Sequence, residues 1–315
     1  MTRKSLSFCL LALFSASIMS AAVITVGSGT QDYDNIHDAL LAAVAGDTVV
    51  VYQGVYYENI TLKVGVILKS FDQGSDGFND YFYKSGVTTI NGGGSSPVVE
   101  LVSNSRIEGF TITGGGADGF AVHGYFVTAD VVGNRIINNA GGGLYLLGGG
   151  NVHKNLIAGN AGVGLELAYS NASVHFNSIG DNQGDGLKAT ESAADIQNNI
   201  IANNGDTGSG TAGIRCVGST LPTIDYNDVW NNVDNNYSNC SAGAHDISSD
   251  PGWDSSYRIT QASPCFDQGV NPGDGYPIWS SAPDMGWYEY APPPLPAIGL
   301  GGILMLLAVF GGAMM

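Results

Sequence analysis

Residues 152–157 read VHKNLI, and 22 residues later residues 174–179 read VHFNSI. The same arrangement of an apolar residue, two variable residues, Asn, one variable residue and a second apolar residue returns at 131–136, 196–201 and 224–229. The central Asn recurs at spacings of 21, 22, 22 and 28 residues. Alternating apolar stretches this short do not make helices, and a repeat of about 22 residues predicts one coil of a solenoid.

Two files of asparagine follow from this repeat, because a second Asn lies five residues after each central one. If successive coils lie in register, like residues stack about 4.8 Å apart. Stacked amides can hydrogen-bond from coil to coil, and Asn tolerates the left-handed backbone of tight turns. We therefore predict a structural role for both files, which are Asn134, Asn155, Asn177, Asn199 and Asn227, and Asn139, Asn160, Asn182, Asn204 and Asn232.

The composition narrows the function classes. The chain has 315 residues with 46 Gly and only 12% charged residues. The glycines keep no three-residue period, which excludes collagen, and 44% hydrophobic residues exclude disorder. A formal net charge of −17 argues against a nucleic-acid partner. An anionic polysaccharide would need a local basic groove or a bridging calcium ion.

Both ends of the sequence are typical of targeting segments. Residues 1–22 combine a short basic start, an apolar run and small residues before a cleavage position, which predicts a signal peptide and export. Residues 291–296 are a Pro-rich linker, and the uncharged residues 297–315 are long enough to span a membrane. We expect an exported protein that is secreted or held at the cell surface, with 297–315 as a C-terminal hydrophobic anchor or sorting helix.

The repeats resemble those of the right-handed parallel β-helix, pectin-lyase-like family, including its carbohydrate-binding and sugar-hydrolysis members. The start of the chain is similar to that family's N-terminal cap, with Ile36, Ala39, Leu40 and Ala43 on one helical face after Asp34, the candidate N-cap. Residues 263–267 and 284–290 resemble its last coil. The resemblance implies an all-β fold over residues 23–290, namely a right-handed single-stranded parallel β-helix with a short N-terminal capping helix, and we expect a monomer.

Cysteine usage fits an oxidising compartment. Cys9 lies in the signal peptide and Cys216 points into the predicted core, so we predict a disulfide between Cys240 and Cys265. Three free or buried thiols are the alternative.

One outward file carries the residue types that a polysaccharide lyase needs. It lies two residues after a repeated Gly and contains Ala121, Tyr145, Glu166, Lys188 and Arg215, with Asp185 one residue before its Gly. Resembling enzymes hold Ca²⁺ with carboxylates and use Lys or Arg as the base of a β-elimination. On that model Lys188 is the base, Arg215 a charge clamp, Asp185 and Glu166 the calcium ligands, and Tyr145 a sugar platform. The alternative is simple ion pairing across the sheet.

A second outward file contains His153, His175, Gln197 and Asp225 and could bind substrate, hold a metal or act in acid–base chemistry, although solvated stacking is the alternative. Weaker candidates are the acidic residues Asp72, Asp76 and Asp80 as a cation site, and Asp206, Trp230 and Tyr237 in the insertions. The marked catalytic motifs of polygalacturonases, pectin methylesterases, alginate epimerases and common pectate lyases are absent from the sequence.

The sequence therefore predicts an exported, surface-associated β-helix protein that binds a polysaccharide or cell-surface glycan along its exposed sheet. One alternative is a polysaccharide lyase or glycoside hydrolase that uses Lys188, Arg215 and nearby carboxylates, with Ca²⁺ as its cofactor. Another is a non-catalytic structural or adhesive solenoid. The partners expected are the glycan and, through the C-terminal helix, a membrane.

Overall fold

The computed structural model describes residues 21–71, 88–206, 210–271 and 281–290. The predicted signal peptide, the acidic residues 72–80, the linker and the hydrophobic segment 297–315 lie outside these ranges, apart from residues 21 and 22. In chain order the elements are β1 (Val23–Val26), α1 (Ile36–Ala42), β2 (Thr48–Val51), β3 (Gly54–Tyr56), β4 (Ile60–Thr61), β5 (Ile67–Ser70), β6 (Thr88–Asn91), β7 (Val99–Leu101), β8 (Arg106–Glu108), β9 (Thr111–Thr113), β10 (Phe120–Val132), β11 (Arg135–Ile137), β12 (Gly142–His153), β13 (Leu156–Ala158), β14 (Leu165–Ala168), β15 (Ser173–His175), β16 (Ser178–Gly180), β17 (Leu187–Thr190), β18 (Asp195–Gln197), β19 (Ile200–Ala202), β20 (Ala212–Val217), β21 (Thr223–Asp225), β22 (Asp228–Trp230) and β23 (Asn235–Ser238).

The strands form three parallel faces that wind about one axis as a right-handed β-helix. Face 1 contains β4, β7, the first halves of β10 and β12, then β14, β17, β20 and β23. Face 2 contains β1, β2, β5, β8, the second halves of β10 and β12, then β15, β18 and β21. Face 3 contains β3, β6, β9, β11, β13, β16, β19 and β22. Every pairing is parallel and joins equivalent positions of neighbouring coils, so the predicted fold class is confirmed.

Aliphatic files fill the interior. On face 2 Val152 pairs in register with Val174, and Val174 with Ile196, and all three are fully buried. Leu165, Leu187 and Ile214 make the equivalent file on face 1. Each fully buried aliphatic side chain contributes roughly 1.5–3 kcal/mol, so the stack of coils supplies the core that a single coil lacks.

The asparagine files form continuous hydrogen-bonded ladders inside the turns. The Nδ2 of Asn155 donates to Oδ1 of Asn177 (3.0 Å), and Asn177 does the same to Asn199 (2.9 Å). The second file repeats this geometry from Asn139 to Asn232. The first file ends on Asp246, whose Oδ1 accepts the backbone N–H of Asn227 (2.7 Å). The structural role predicted for both files is confirmed.

The capping helix is present as α1. Ile36, Ala39 and Leu40 are buried against the first coils, as the sequence predicts. The predicted N-cap, Asp34, is wrong: the side chain of Asn35 accepts the N–H of Asp38 (2.8 Å) in an extended N-cap geometry.

The prediction for the end of the β-helix is also wrong. Residues 263–267 and 284–290 form no strand; they pack across face 3. Cys265 and Met285 contact Ile200 and Ala202 in a second hydrophobic cluster. Trp287 is buried beside Leu156 and Ala158. This C-terminal segment therefore covers the later strands of face 3, whereas faces 1 and 2 keep open strand surfaces among the described residues.

The predicted disulfide between Cys240 and Cys265 is wrong as well. Cys216 bonds to Cys240, with their Cα atoms 5.8 Å apart. Cys216 does point into the core as predicted, but the chain turns inward after β23 and brings Cys240 onto the same core, one coil along. Cys265 is a buried free thiol on face 3 that donates to Oδ2 of Asp228 (3.1 Å).

Candidate functional site

The outward residues at the centre of face 1 form one continuous file. Strand register places six residues in line, one for each coil, and we call them the face-1 file: Glu100, His123, Tyr145, Glu166, Lys188 and Arg215. Five coil steps of about 4.8 Å give the file a length of roughly 24 Å. The structure thus brings Tyr145, Glu166, Lys188 and Arg215 together, as the sequence predicts.

The repeat pattern misplaced the member of this file that lies beside Tyr145. Ala121 was expected beside Tyr145, but it is buried, and His123 occupies that position. The repeated Gly before Ala121 is Gly119 and the one before Tyr145 is Gly143, but Phe120 pairs with Gly142, so these two glycines are two residues out of register. A two-residue error preserves the inward and outward alternation of a strand, so the hydrophobic pattern could not reveal it.

Charged side chains occupy the C-terminal half of the file and are paired. Lys188 Nζ lies 2.8 Å from Glu166 Oε1, on the adjacent strand. Arg215 Nε lies 2.8 Å from Oδ2 of Asp185, and Oδ1 of Asp185 accepts the N–H of Ala212 (2.7 Å). Because each cation has a carboxylate partner, this half presents donors and acceptors at fixed positions with little net charge.

The guanidinium of Arg215 is held from three sides. Besides Asp185, it donates from Nη1 to Ser238 Oγ (3.3 Å) and from Nη2 to the carbonyl oxygen of Gly210. About a fifth of the Arg215 side chain (22%) remains exposed, against 9% for Asp185. Arg215 can therefore present its outer edge to a ligand, whereas both oxygens of Asp185 are occupied.

Aromatic side chains occupy the N-terminal half of the file. The ring of Tyr145 stacks on His123 (centroids 5.2 Å apart, 18° between planes) and contacts Phe120 at 5.5 Å. Nδ1 of His123 lies 2.9 Å from Glu100 Oε2. Burial, followed by the charges of Glu166 and Tyr125, raises the pKa of Tyr145, so its hydroxyl remains a neutral hydrogen-bonding group. This half is a flat aromatic surface edged by polar atoms.

The predicted calcium ligands are committed to other partners. In the described ranges no group of three or more His, Cys, Asp or Glu side chains converges as a metal site would. Glu166 accepts from Lys188, and Asp185 accepts from Arg215 and Ala212. A calcium ion at this point would have to displace Lys188 from Glu166 and Arg215 from Asp185.

The second predicted file lies on face 2, so the predicted substrate-binding residues are divided between two surfaces. His153 pairs with His175, and Gln197 with Asp225, in the expected register. Nε2 of His175 lies 3.3 Å from Asp195. These contacts lie within the sheet surface and do not converge on one point.

Asp225 has a partner that the sequence did not indicate. Its Oδ2 lies 2.9 Å from Nδ1 of His245, and its Oδ1 accepts the N–H of His245 (2.8 Å). The His245 ring stacks on Tyr226 (4.4 Å, 11°). Burial opposes ionisation of Asp225, but the hydrogen bonds from His245 outweigh it and lower the pKa of Asp225. His245 lies outside the repeats, so no periodicity could have found it.

The weaker candidates have structural surroundings. The Tyr237 hydroxyl donates to Oδ2 of Asp246 (2.7 Å) at the end of the core, and burial raises its pKa. Trp230 packs on the hydrophobic cluster under the C-terminal segment. Asp206 is exposed at the end of a described range.

No helix among the described residues is long and apolar enough to cross a membrane.

Comparison with known proteins supports the fold. Residues 77–179 match the family model described as a right-handed β-helix region, about a third of the chain. A pectin methylesterase from Aspergillus niger superposes with a TM-score of 0.49 at 18% identity, over 79% of this chain and 91% of that one. The A-module of a mannuronan C-5 epimerase from Azotobacter vinelandii gives 0.28 at 15% identity, over 68% and 93%.

A pectate lyase gives a TM-score of 0.29 at 13% identity, over 86% of this chain and 96% of that one. Scores and identities this low say nothing about activity. No curated protein matches the sequence significantly.

Proposed function

We propose that this right-handed, pectin-lyase-like parallel β-helix protein binds a polysaccharide along the face-1 file. The observation that carries the proposal is the continuity of the file: an aromatic surface at Tyr145 adjoins ordered hydrogen-bonding groups at Glu166, Lys188 and Arg215. A sugar chain offers the matching combination, because its rings have apolar faces and its hydroxyl groups both donate and accept. A file of roughly 24 Å extends over several sugar units.

Binding is favoured over catalysis by the state of the predicted base. Lys188 Nζ lies 2.8 Å from Glu166 Oε1, so the predicted base is engaged by a carboxylate and is not free to contact a substrate proton. The lyase alternative would require the substrate or a calcium ion to separate this pair. Lys188 and Arg215 are therefore proposed as ligand-contacting groups, with Tyr145 as the stacking platform.

Export is part of the proposal. The Cys216–Cys240 disulfide supports it, because disulfides persist in oxidising compartments, and the pattern of residues 1–22 remains the prediction of a signal peptide. Residues 297–315 remain the predicted anchor. Fractionation of the producing cells, with N-terminal sequencing of the mature chain, tests both segments; a chain that stays in the cytosol with residues 1–22 attached would contradict export.

The binding test uses polygalacturonate, alginate, galactomannan and β-glucan, each with and without Ca²⁺. We expect Tyr145→Ala to weaken binding of the best ligand about tenfold, the order of magnitude for losing one aromatic contact. Lys188→Ala should weaken it too, whereas Lys63→Ala, beside the capping helix, should leave it unchanged.

The same mixtures report catalysis through the absorbance of unsaturated products. Release of such products by the wild type and not by Lys188→Ala would show that the protein is a polysaccharide lyase that depends on Lys188. Absence of binding to all four polysaccharides, with and without calcium, would contradict the binding proposal and favour the non-catalytic structural solenoid.

A further inference from the structure

A groove outside the face-1 file opens where the chain turns from face 1 to face 2. Its volume is about 530 Å³, and its lining includes Phe126, Thr128, Gly148, Gly149, Tyr169 and Asn171. It lies beyond the ends of the face-1 strands, so none of the face-1 file residues lines it. The groove therefore needs an explanation of its own.

Two glycines, Gly148 and Gly149, make its floor, and a third glycine follows them in the chain. Residues 148–150 are all Gly, and they pair with Val127, Thr128 and Ala129 of the preceding coil. A Cβ on Gly148 would collide with the Val127 carbonyl oxygen, and one on Gly149 with the Asn171 amide. The coil at this point consequently presents bare backbone, while the coils on either side of it present large side chains.

Those side chains are two exposed aromatic rings. Phe126 is 72% exposed and Tyr169 69% exposed, and both adopt positive φ (54° and 45°), a conformation that bulky residues disfavour. Phe176 also adopts positive φ, but its ring is fully buried, and Tyr226 stacks on His245. Phe126 contacts the ring of Tyr125 edge to face (4.6 Å, 76°), yet Phe126 and Tyr169 both remain largely exposed, so their rings are accessible to a ligand.

The spacing of Phe126 and Tyr169 along the axis suits a single sugar ring. Their backbone positions lie on either side of the glycine coil, two coil steps or about 10 Å apart along the axis. That spacing leaves room for one saturated ring in contact with an aromatic face on each side.

Two uncharged polar side chains of the groove, Thr128 and Asn171, face no hydrogen-bonding partner in the described ranges. The only charged lining residue is Glu191, whose carboxylate accepts the N–H groups of Ser219 (3.2 Å) and Thr220 (2.9 Å). No lysine or arginine lines the groove, and the chain carries a net charge of −17, which disfavours an anionic ligand.

We infer that this groove is a second carbohydrate site and that it binds a neutral sugar unit between Phe126 and Tyr169. Thr128 and Asn171 hydrogen-bond to the sugar hydroxyls, and the glycine floor lets the ring approach the backbone. The inference does not depend on the proposed function of face 1, because the two surfaces share no lining residue.

Calorimetric titration with cellohexaose, mannohexaose and hexagalacturonate tests the inference. A neutral hexasaccharide should bind, and Tyr169→Ala and Phe126→Ala should each weaken it about tenfold. Tyr169→Phe, which retains the ring, should stay within about threefold of the wild type. Tyr57→Ala is the matched control, since Tyr57 is 76% exposed elsewhere on the chain.

Two comparisons separate this site from face 1. Tyr145→Ala and Lys188→Ala should leave binding at the groove unchanged, and Tyr169→Ala should leave binding at the face-1 file unchanged. Thermal melting confirms that each variant folds, which surface positions should permit. The inference is overturned if neither neutral hexasaccharide binds, if Tyr169→Ala binds as the wild type does, or if hexagalacturonate is the preferred ligand at Tyr169.

Discussion

At the scale of single residues, Asn177 shows how a polar side chain can stabilise a hydrophobic solenoid. Its Nδ2 donates to Val152 O (2.8 Å), His175 O (3.1 Å) and Asn199 Oδ1 (2.9 Å). Its Oδ1 accepts two hydrogen bonds from Asn155, one from the backbone N–H and one from Nδ2 (each 3.0 Å). The residue is fully buried, so removal of the amide leaves several polar groups without water.

Asn177→Ala should lower the free energy of unfolding by about 3 kcal/mol or more, because each buried group left unsatisfied costs roughly 1–3 kcal/mol. The exposed Asn151→Ala is the control, since the side chain of Asn151 donates to Asp130 on the surface and is not part of a buried ladder. Urea unfolding monitored by circular dichroism measures both. Equal stability of the two variants would show that the ladder contributes nothing.

At the scale of elements, the strands are short, and their pairing depends on neighbouring coils. The face-3 strand β16 spans only Ser178–Gly180, yet it is paired on both sides, with β13 and β19. The last coil has neighbours on one side only, because β23 pairs with β20 alone among the described strands. The Cys216–Cys240 disulfide joins these two coils at that end.

The double variant Cys216→Ala/Cys240→Ala should therefore lose about 3 kcal/mol of stability, the order expected for a loop of 24 residues. Hydrogen exchange should rise first in β20 and β23, at the end of the stack. Reducing agent should destabilise the wild type and have no such effect on the variant. A peptide map of the oxidised wild type that linked Cys240 to Cys265 would contradict the pairing.

At the scale of the whole molecule, one buried acid joins the C-terminal segment to the β-helix and a second lies within that segment. Asp228 on β22 accepts the Cys265 thiol hydrogen, and Asp284 accepts the N–H groups of Asp267 (2.8 Å) and Tyr290 (2.6 Å). Burial raises the pKa of each carboxyl to about 6. It also raises the pKa of the Cys265 thiol, which keeps that sulfur unreactive in the folded protein.

These shifts make the contact sensitive to pH. Between the ordinary pKa of 3.8 and about 6 the folded state binds more protons than the unfolded state, so these groups destabilise the fold as pH rises through that window. Asp228→Asn should remove one of these contributions. Between pH 4 and pH 7 the variant should therefore lose about 2 kcal/mol less stability than the wild type does.

The difference between variant and wild type isolates this effect, since carboxyls with a lowered pKa, such as Asp225, act in the opposite direction. Denaturant titrations at the two pH values measure it. Asp118→Asn, at an exposed position, is the control and should preserve the wild-type pH profile. A profile for Asp228→Asn that coincides with the wild type would contradict the prediction.

The candidate site was predictable to the extent that it repeats. Tyr145, Glu166, Lys188 and Arg215 were found because each occupies the same position in successive coils. His123 was missed because the repeated Gly pointed to Ala121, two residues away from the true register, and a two-residue slip leaves the inward and outward pattern of the strand unchanged. The groove at Phe126 and Tyr169 was missed too, because it depends on the absence of side chains at residues 148–150 as much as on the two rings.

The sequence by itself determined the coil, the asparagine ladders and the aliphatic interior, because each is a short-range pattern that recurs about every 22 residues. Only the tertiary structure decided which cysteines pair, that His245 reaches Asp225, and that residues after β23 cover face 3. Those contacts join segments whose separation along the chain has no period, so their free energy depends on which surfaces the finished stack leaves open. The repeat determines the stack, and the stack then selects its non-repeating partners.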